Sequence, residues 1–331
     1  MFLFVENCYH PALESNQEIY TKMRIKKVTD CVVYLVVRIM ICIAQSLSVE
    51  TGVYISRLFA LIFTHVLQVR RRLVRENLAI AFPELSPKHR EELIGRVWEH
   101  LFLLAVEVAH LTRRIHPTNW RNYVNIINPH KIGKLLHNDR PLVMVTGHFG
   151  NFEAGGVLLG ILGYPSYSVA RTLDNPYLNN YIKTFRETSG QYLIPKNDGY
   201  DQILEVLGRR DIMVFLADQS AGPKGCRVDF FGKKASTHKA IALLSLQYDA
   251  PVVVCYATRR DRPMHFNMTV ADVFDPRDCP EGATVKEITQ WYTSALEEGI
   301  RQHPEQYWWV HRRWKEFEKR PPRKHVAAKP N

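Results

Sequence analysis

The chain has 331 residues, enough for one large α/β domain or two smaller ones. Its composition, 46% hydrophobic and 23% charged, argues against disorder outside the ends. Lysine and arginine number 44 against 33 acidic residues, and the resulting net charge of +11 favours an anionic partner. Nucleic acid, anionic lipid headgroups and an acidic protein all fit that charge.

The cysteines and the first residues bear on the compartment. No CxxC spacing and no zinc-like cluster of histidines and cysteines occurs, and the first twenty residues lack the pattern of a signal peptide. We therefore expect no metal and a cytosol-facing protein. In such a protein the cysteines stay reduced and pack as ordinary side chains: Cys8, Cys31, Cys42, Cys226, Cys255 and Cys279.

Two apolar segments near the N-terminus are candidates for membrane contact. Residues 28–47 are long enough to cross a bilayer, although a charged residue lies in mid-span. Residues 53–69 are apolar and end in three arginines at 70–72, which is typical of a helix on an anionic membrane face. We predict membrane-anchor and interfacial helices over 28–72 after an N-terminal extension, 1–27. The alternative is a long buried helix of a soluble protein.

The next part of the chain predicts a helical region followed by an α/β region. Two helices surround a proline turn at 83–87, where Ser86 and Pro87 suit the cap and first position of the second helix. From Pro141 onwards, short β-rich runs alternate with helical stretches of about 10 to 15 residues. This predicts an α/β fold with a mixed, largely parallel sheet flanked by helices, and a disordered basic tail over 320–331.

The stretch GHFGNFE contains the sharpest candidate site. A buried strand ends just before it, so His148 lies at a strand end, where open α/β sheets bind ligands. A turn through Gly150, with Asn151 as the N-cap of the next helix, brings Glu153 into the first helical turn. His148 and Glu153 then face one spot, where the carboxylate can orient the imidazole and leave its other nitrogen as a general base.

The five-residue spacing is weak by itself. The same spacing separates His311 from Glu316, and about one such pair is expected by chance among 14 histidines. The second pair lies in a continuous helical pattern without a glycine turn. The alternative for the first pair is a capped helix beside an incidental histidine.

Five blocks in a fixed order resemble one known family over about residues 25–322. GHFGNFE resembles the HxxxxD/E block of the glycerolipid acyltransferase superfamily, and in detail that of the lipid A secondary acyltransferases of the lauroyl/myristoyl type. Phe152 stands where this family often has tryptophan, and the first twenty residues match nothing we know. The other blocks are VRENLAIAFPELS (74–86), ARTLDNPYLNNYIKTFRETSGQYLIP (170–195), FLADQSAGPKGCRVDFFGKKASTHKA (215–240) and HPEQYWWVHRRWK (303–315).

The resemblance implies an O-acyltransferase domain over 73–319. It would transfer a fatty acyl group from acyl carrier protein, or coenzyme A, to a hydroxyl of a lipid A precursor. His148 would take the hydroxyl proton and Glu153 would orient the ring, with no cofactor and no acyl-enzyme. The implied location is the cell inner membrane, with the site facing the cytoplasm and without nucleic acid as a partner.

Further candidates follow from the other blocks. Arg171 ends a predicted strand and could stabilise the oxyanion, or form a surface salt bridge. Asp218 and Gln219 could bind acceptor hydroxyls, brace Arg171 or cap a loop. Phe231 and Gly232, with Phe230, could wall an acyl channel or form a hydrophobic turn.

The last block interleaves aromatic and basic residues. Arg312 and Arg313 could bind phosphates of the acceptor lipid at a membrane interface. The alternatives are tryptophans packed in the core beside solvated cations, and nucleic-acid binding. Gly150 and Asn151 are also candidates for the substrate site.

Three other functions remain open. One is an acyltransferase that acts on another glycolipid or lysophospholipid acceptor. The others are a non-catalytic, basic membrane-binding protein and a nucleic-acid binder.

Overall fold

The structure is a computed structural model that describes residues 16–137, 139–279 and 281–315. The predicted basic tail lies outside these residues, as does most of the unmatched N-terminal stretch. The helices are α1 Asn16–Ser46, α2 Val49–Leu61, α3 Arg71–Ala81, α4 Pro87–Arg114, α5 His130–Gly133, α6 Phe152–Ile161, α7 Pro176–Glu187, α8 Tyr200–Gly208, α9 Ala240–Tyr248 and α10 Val285–Gln302. The strands are β1 Val124–Ile127, β2 Leu142–Thr146, β3 Ser166–Ala170, β4 Gln191–Pro195, β5 Ile212–Leu216, β6 Cys226–Phe230, β7 Lys233–Thr237, β8 Val252–Arg259 and β9 Phe266–Phe274.

Within the described residues, seven strands form one sheet in the order β1-β9-β8-β2-β5-β3-β4. Strands β2, β3, β4, β5 and β8 run parallel, while β9 is antiparallel to β8 and carries β1 beside it. The hairpin of β6 and β7 stands apart and packs on α10. The predicted mixed, largely parallel sheet flanked by helices is therefore confirmed.

Helices cover both faces of the sheet, and side chains along each strand point alternately to the two faces. All five residues of β2 are buried. Val143 and Val145 face a core built with α3, α4, α8, α9 and α10. Leu142 and Met144 face a second core built with α6.

The N-terminal helix α1 is continuous and mostly exposed. Its segment Met23–Ser46 is long and apolar enough to cross a membrane, and its most apolar window has no buried residue. The alternative of a buried core helix therefore does not hold for this segment. The second predicted segment is bent: Val49–Val66 and Arg71–Ala81 meet at 96°.

Helix α1 contacts the folded domain at two places. Near its end, Gln45 donates to the Ala109 carbonyl of α4 at 2.8 Å. Nearer its start, Lys26 donates to the Asp174 carbonyl at 3.3 Å, and Asn175, the N-cap of α7, donates to the Asp30 carbonyl at 2.8 Å. The apolar helix is thus fixed beside the loop that joins β3 to α7.

The cysteines of the described part carry no disulfide. The predicted cap of the second helix is also present, since Ser86 accepts from the His89 amide and Pro87 is the first residue of α4.

Candidate active site at the carboxyl ends of the central strands

The turn after β2 holds His148 in a fixed place. Gly150 has φ +61°, and a Cβ there would lie 2.0 Å from the Ala257 carbonyl oxygen, so only glycine fits. The backbone amide of Asn151 donates to that same oxygen at 2.6 Å. The Asn151 side chain then caps α6 by accepting from the Ala154 amide at 3.0 Å. The turn and the cap predicted for this stretch are both present.

The His148 imidazole is oriented by a neighbouring strand. Asp218 follows β5, which lies beside β2 in parallel register, so the two strand ends meet. Asp218 Oδ1 lies 2.9 Å from His148 Nδ1, and its side chain is only 1% exposed. A proton on Nδ1 that is donated to the carboxylate leaves Nε2 as the base.

The pKa values of the two groups move apart. Burial alone would lower the pKa of His148, but the charge of Asp218 and the hydrogen bond to it raise that pKa overall. Burial opposes ionisation of Asp218, yet the His148 charge and hydrogen bond bring the pKa of Asp218 well below its usual value. The proton between the two groups therefore stays on His148 Nδ1, and Asp218 stays ionised.

The prediction that Glu153 orients the ring needs correction. Both carboxylate oxygens of Glu153 contact Arg186 of α7, with Oε2 lying 3.1 Å from Nε. Glu153 lies in the first turn of α6, on the side that faces α7, whereas Nδ1 of His148 faces Asp218 at the end of β5. Glu153 still raises the pKa of His148 through its charge. It acts on the base from a distance.

The other ring nitrogen of His148 faces a cavity. Gln219 Nε2 lies 3.4 Å from His148 Nε2, so the amide stands next to the base. Phe152 packs edge-on against the imidazole at 5.4 Å between ring centres, and Trp308 lies 6.1 Å away. The aromatic residue that replaces the family's usual tryptophan thus contacts the ring.

The cavity has a volume of about 590 Å³ and runs between α6 and the sheet. Its walls are mostly apolar, and Gly155 and Gly156 of α6 lie along it. Met144, Val214 and Ser168 occupy facing positions on adjacent strands of the same sheet face. An apolar chain can therefore lie against the sheet with its reactive end at His148.

Two arginines line the cavity near His148. Arg171 follows β3 and is 77% exposed, with an ion pair to Asp174 at 3.3 Å. Arg186 is only 23% exposed and is held by Glu153. Arg171 is thus at the cavity mouth, while Arg186, which the sequence reasoning missed, lies nearer the base and lowers its pKa.

Asn151 is a support for the turn, because it is fully buried. Its amide donates to Glu107 at 3.1 Å, and Glu107 also forms a two-point ion pair with Arg259 at 2.6 and 2.7 Å. The predicted substrate contact of Asn151 therefore needs correction. Gly150 is likewise packed against the β8 backbone rather than opened to the cavity.

Phe231 and Gly232 form the turn between β6 and β7, both with positive φ. Phe231 packs on Phe82 and Trp309 at 5.4 and 5.7 Å between ring centres. In the described part, neither Phe231 nor Gly232 reaches the cavity wall. The hydrophobic turn, rather than an acyl channel wall, describes their position.

The C-terminal segment, defined here as residues 303–315, is largely packed inside. Arg313 is 1% exposed and donates to the Ser236 carbonyl and the Thr237 hydroxyl, both at 2.6 Å. It cannot reach a lipid phosphate from there, so its predicted role needs correction. Arg312 is exposed.

Two further observations concern metal ligands and thiols. Within the described residues, no group of three or more histidine, cysteine and acidic side chains could hold a metal ion. Cys255 lines the cavity, but burial raises its thiol pKa to about 12, so it is not a nucleophile at neutral pH.

Comparison with known proteins gives the family. The model of the bacterial lipid A biosynthesis acyltransferases matches residues 20–316. The chain belongs to this family.

The curated relatives have low sequence identity to this chain but match most of its length. Lipid A biosynthesis acyltransferase 2 of Shigella flexneri is 25% identical, over 72% of this chain and 76% of its own length. The lipid A biosynthesis lauroyltransferase of Escherichia coli (strain K12) is 24% identical, over 74% of this chain and 79% of its own. Among solved structures, the 1-acyl-sn-glycerophosphate (LPA) acyltransferase PlsC from Thermotoga maritima aligns with a TM-score of 0.38 at 12% identity, over 76% of this chain and 97% of that one.

Proposed function

We propose that this protein transfers a fatty acyl group from the thioester of acyl carrier protein to a hydroxyl of a lipid A precursor. One observation carries the proposal: His148 has Nδ1 held by a buried carboxylate while Nε2 faces an apolar cavity of about 590 Å³. Family membership supports the reaction class. The cavity supports a long apolar donor.

The chemistry follows from the free nitrogen. An alcohol is a poor nucleophile at neutral pH, so Nε2 of His148 takes the hydroxyl proton as the oxygen attacks the thioester carbon. Asp218 stabilises the imidazolium that forms. The tetrahedral intermediate then collapses, the carbon–sulfur bond breaks, and the imidazolium returns the proton to the departing thiolate. The ester and the free thiol are the products.

The developing oxyanion needs donors. Arg186 stands inside the cavity, fixed by Glu153, and the Gln219 amide lies next to Nε2. Preorganised donors of this kind contribute most to catalysis when water is excluded. Arg171, at the exposed mouth, is better placed to meet the polar part of either substrate.

Helix α1 and the net charge support a location at the membrane. The exposed apolar segment Met23–Ser46 supports anchoring in the inner membrane. Lys26 of α1 bonds to the Asp174 carbonyl, three residues after Arg171, so the anchor lies beside the cavity mouth. The net charge of +11 would attract both an acidic carrier protein and an anionic glycolipid at the cytoplasmic face.

The test is a mass-spectrometric assay of the full, detergent-solubilised chain with mixed acyl carrier protein thioesters and a tetra-acylated, Kdo-bearing lipid A precursor. We expect one acyl-sized mass gain, and His148→Gln should reduce its rate by about 10²- to 10⁴-fold. His110→Gln is the matched control, since His110 is a buried histidine outside the cavity that bonds the Ala44 carbonyl at 2.9 Å. Wild-type rates in His148→Gln would contradict the mechanism.

The same assay separates the remaining functions. Thioester consumption with a lysophospholipid or another glycolipid, but not with the lipid A precursor, would assign that lipid as the acceptor. A folded protein that binds anionic vesicles and consumes no thioester with any acceptor would be non-catalytic.

A further inference from the structure

Tyr307 lies beside the turn that carries His148 and interacts with Asp218. It is fully buried, and it forms a β-bridge with Phe149. On either side of that bridge, Gly150 N donates to the Gln306 carbonyl at 2.9 Å and Trp308 N donates to the His148 carbonyl at 3.0 Å. The backbone of the C-terminal segment is thus held in register with the turn that carries the base.

Helix α3 fixes the same segment from the other side. Asn77 donates to the carbonyls of Trp309 and His311 at 2.7 and 2.8 Å, and Arg70 donates to the Val310 carbonyl at 2.6 Å. Tyr307 is therefore clamped between α3 and the site. A side chain held this firmly has little freedom to turn away.

Two buried atoms at this place lack partners. Asp218 uses Oδ1 for His148, while its Oδ2 has no hydrogen-bond donor among the described residues. The Tyr307 hydroxyl is equally buried and has no hydrogen-bond acceptor there. The Tyr307 hydroxyl also interacts directly with the Asp218 carboxylate. Buried polar groups without partners are costly, so these two complementary groups favour each other.

We propose that Tyr307 is a positioning residue, whose hydroxyl donates to Oδ2 of Asp218 and so fixes the carboxylate that orients His148. Burial and the Asp218 charge raise the pKa of Tyr307 well above its usual value, which keeps the hydroxyl protonated and able to donate. The residue touches neither substrate. It acts through Asp218.

Other charged groups face Asp218 as well. His238, His311 and Arg313 all interact with it electrostatically. Arg313 is held by β7, and His311 Nδ1 bonds the Trp308 carbonyl at 2.6 Å. Burial lowers the pKa of His311, so the neutral ring leaves Nε2 as an acceptor that cannot donate to a carboxylate.

The Tyr307 hydroxyl shifts the pKa of His148 in one direction. A donor on Oδ2 draws negative charge away from the side of Asp218 that faces His148, so the carboxylate holds the imidazole proton less strongly. On the His148 ring, Glu153 also raises the pKa, and Arg186 lowers it. Loss of the Tyr307 hydroxyl should therefore raise the pKa of His148 further and leave less neutral base at pH 7.

The experiment is an NMR titration of the full chain labelled with ¹³C-histidine in detergent, with the His148 signal assigned by its loss in His148→Gln. Tyr307→Phe should move the His148 midpoint upward by about half to one pH unit. Tyr292→Phe is the matched control, because it removes a buried hydroxyl that bonds the His238 carbonyl at 2.6 Å. It should leave the His148 midpoint in place.

A second substitution reverses the sign. Site-specific 3-fluorotyrosine at position 307 makes the hydroxyl a stronger donor, so the His148 midpoint should fall. Equal midpoints in wild type, Tyr307→Phe and the fluorinated protein would overturn the proposal. It builds on the proposed function, yet the titration needs no turnover, so an inactive wild type would contradict that function and leave this result to be read independently.

Discussion

Two buried carboxylates support the same turn and differ in how completely they are bonded. Glu107 is fully buried and contacts four donors, namely two nitrogens of Arg259, the Asn151 amide and the Met264 backbone amide. Asp218 is as deeply buried, but its side chain has one hydrogen-bond partner in the described part, His148. The four donors occupy the acceptor sites of Glu107. Asp218 instead gains a stronger electrostatic attraction to His148 when the imidazole becomes protonated.

The difference separates stability from chemistry. The Glu107–Arg259 pair joins α4 to β8 and fixes the cap of α6, and neither residue lines the cavity. The Asp218–His148 pair joins the ends of β5 and β2 at the cavity. We expect substitutions at the first pair to destabilise the protein and substitutions at the second to inactivate it.

The largest effect should come from Asp218→Asn. The amide can no longer stabilise the imidazolium and favours the wrong tautomer of His148, so kcat should fall about 10³- to 10⁴-fold in the acyl transfer assay. The protein should remain folded by near-UV circular dichroism. Asp275→Asn is the control, because Asp275 is ion-paired with Arg140 at 2.7 Å outside the cavity. Equal activity losses in both variants would contradict a special role for Asp218.

The next effect should come from Glu107→Gln. This change leaves Arg259 as a buried charge without its carboxylate, so the free energy of unfolding should fall by about 3–5 kcal/mol. The measurement is denaturant unfolding in detergent. Glu99→Gln on the same helix is the control, since Glu99 forms an exposed pair with Arg57 and should cost at most about 1 kcal/mol. Similar losses in the two variants would argue against the buried clamp.

The smallest effect should come from Glu153→Gln, read in the pH dependence. Activity requires neutral His148, so kcat/KM rises with pH through the raised pKa of that residue. Stability linked to the same proton runs the other way: it is present below the ordinary histidine pKa and is lost as pH rises through the raised one. Removing the Glu153 charge should move the acid limb to lower pH.

Glu187→Gln, next to Arg186 in sequence, is the control for that shift. Glu187 pairs with Lys183 at 3.7 Å and should leave the acid limb unchanged. An acid limb that stays in place or moves to higher pH in Glu153→Gln would contradict this electrostatic effect. A loss of kcat as large as that of Asp218→Asn would return the orienting role to Glu153.

Much of the architecture could be read from local patterns. The short β-rich runs predicted after Pro141 correspond to β2, β3, β4, β5, β8 and β9, and apolar runs such as LVMVT leave few alternatives to a strand. The glycine turn and the Asn151 cap were also predictable, since both depend on neighbours within a few residues. β1 and the β6–β7 hairpin were missed, as their short half-exposed sequences carry weak periodicity.

The side-chain contacts within the site were harder to predict from the sequence. Arg186 is fifteen residues from Arg171 along a loop and helix, and only the packing of α7 on α6 brings it to Glu153. Arg313 carries no sequence signal that distinguishes it from exposed Arg312. The weak signal for Asp218 was its place at a strand end beside Gln219.

The sequence by itself determined the strand-turn-helix that presents His148, because those constraints are local: a buried strand, a glycine with positive φ and an N-cap. Only the tertiary structure decided which carboxylate orients the ring. That choice depends on β5 lying beside β2, which places a residue 70 positions away closer to Nδ1 than one five positions away. Strand order in a sheet is set by the packing of the whole domain, and no local pattern encodes it.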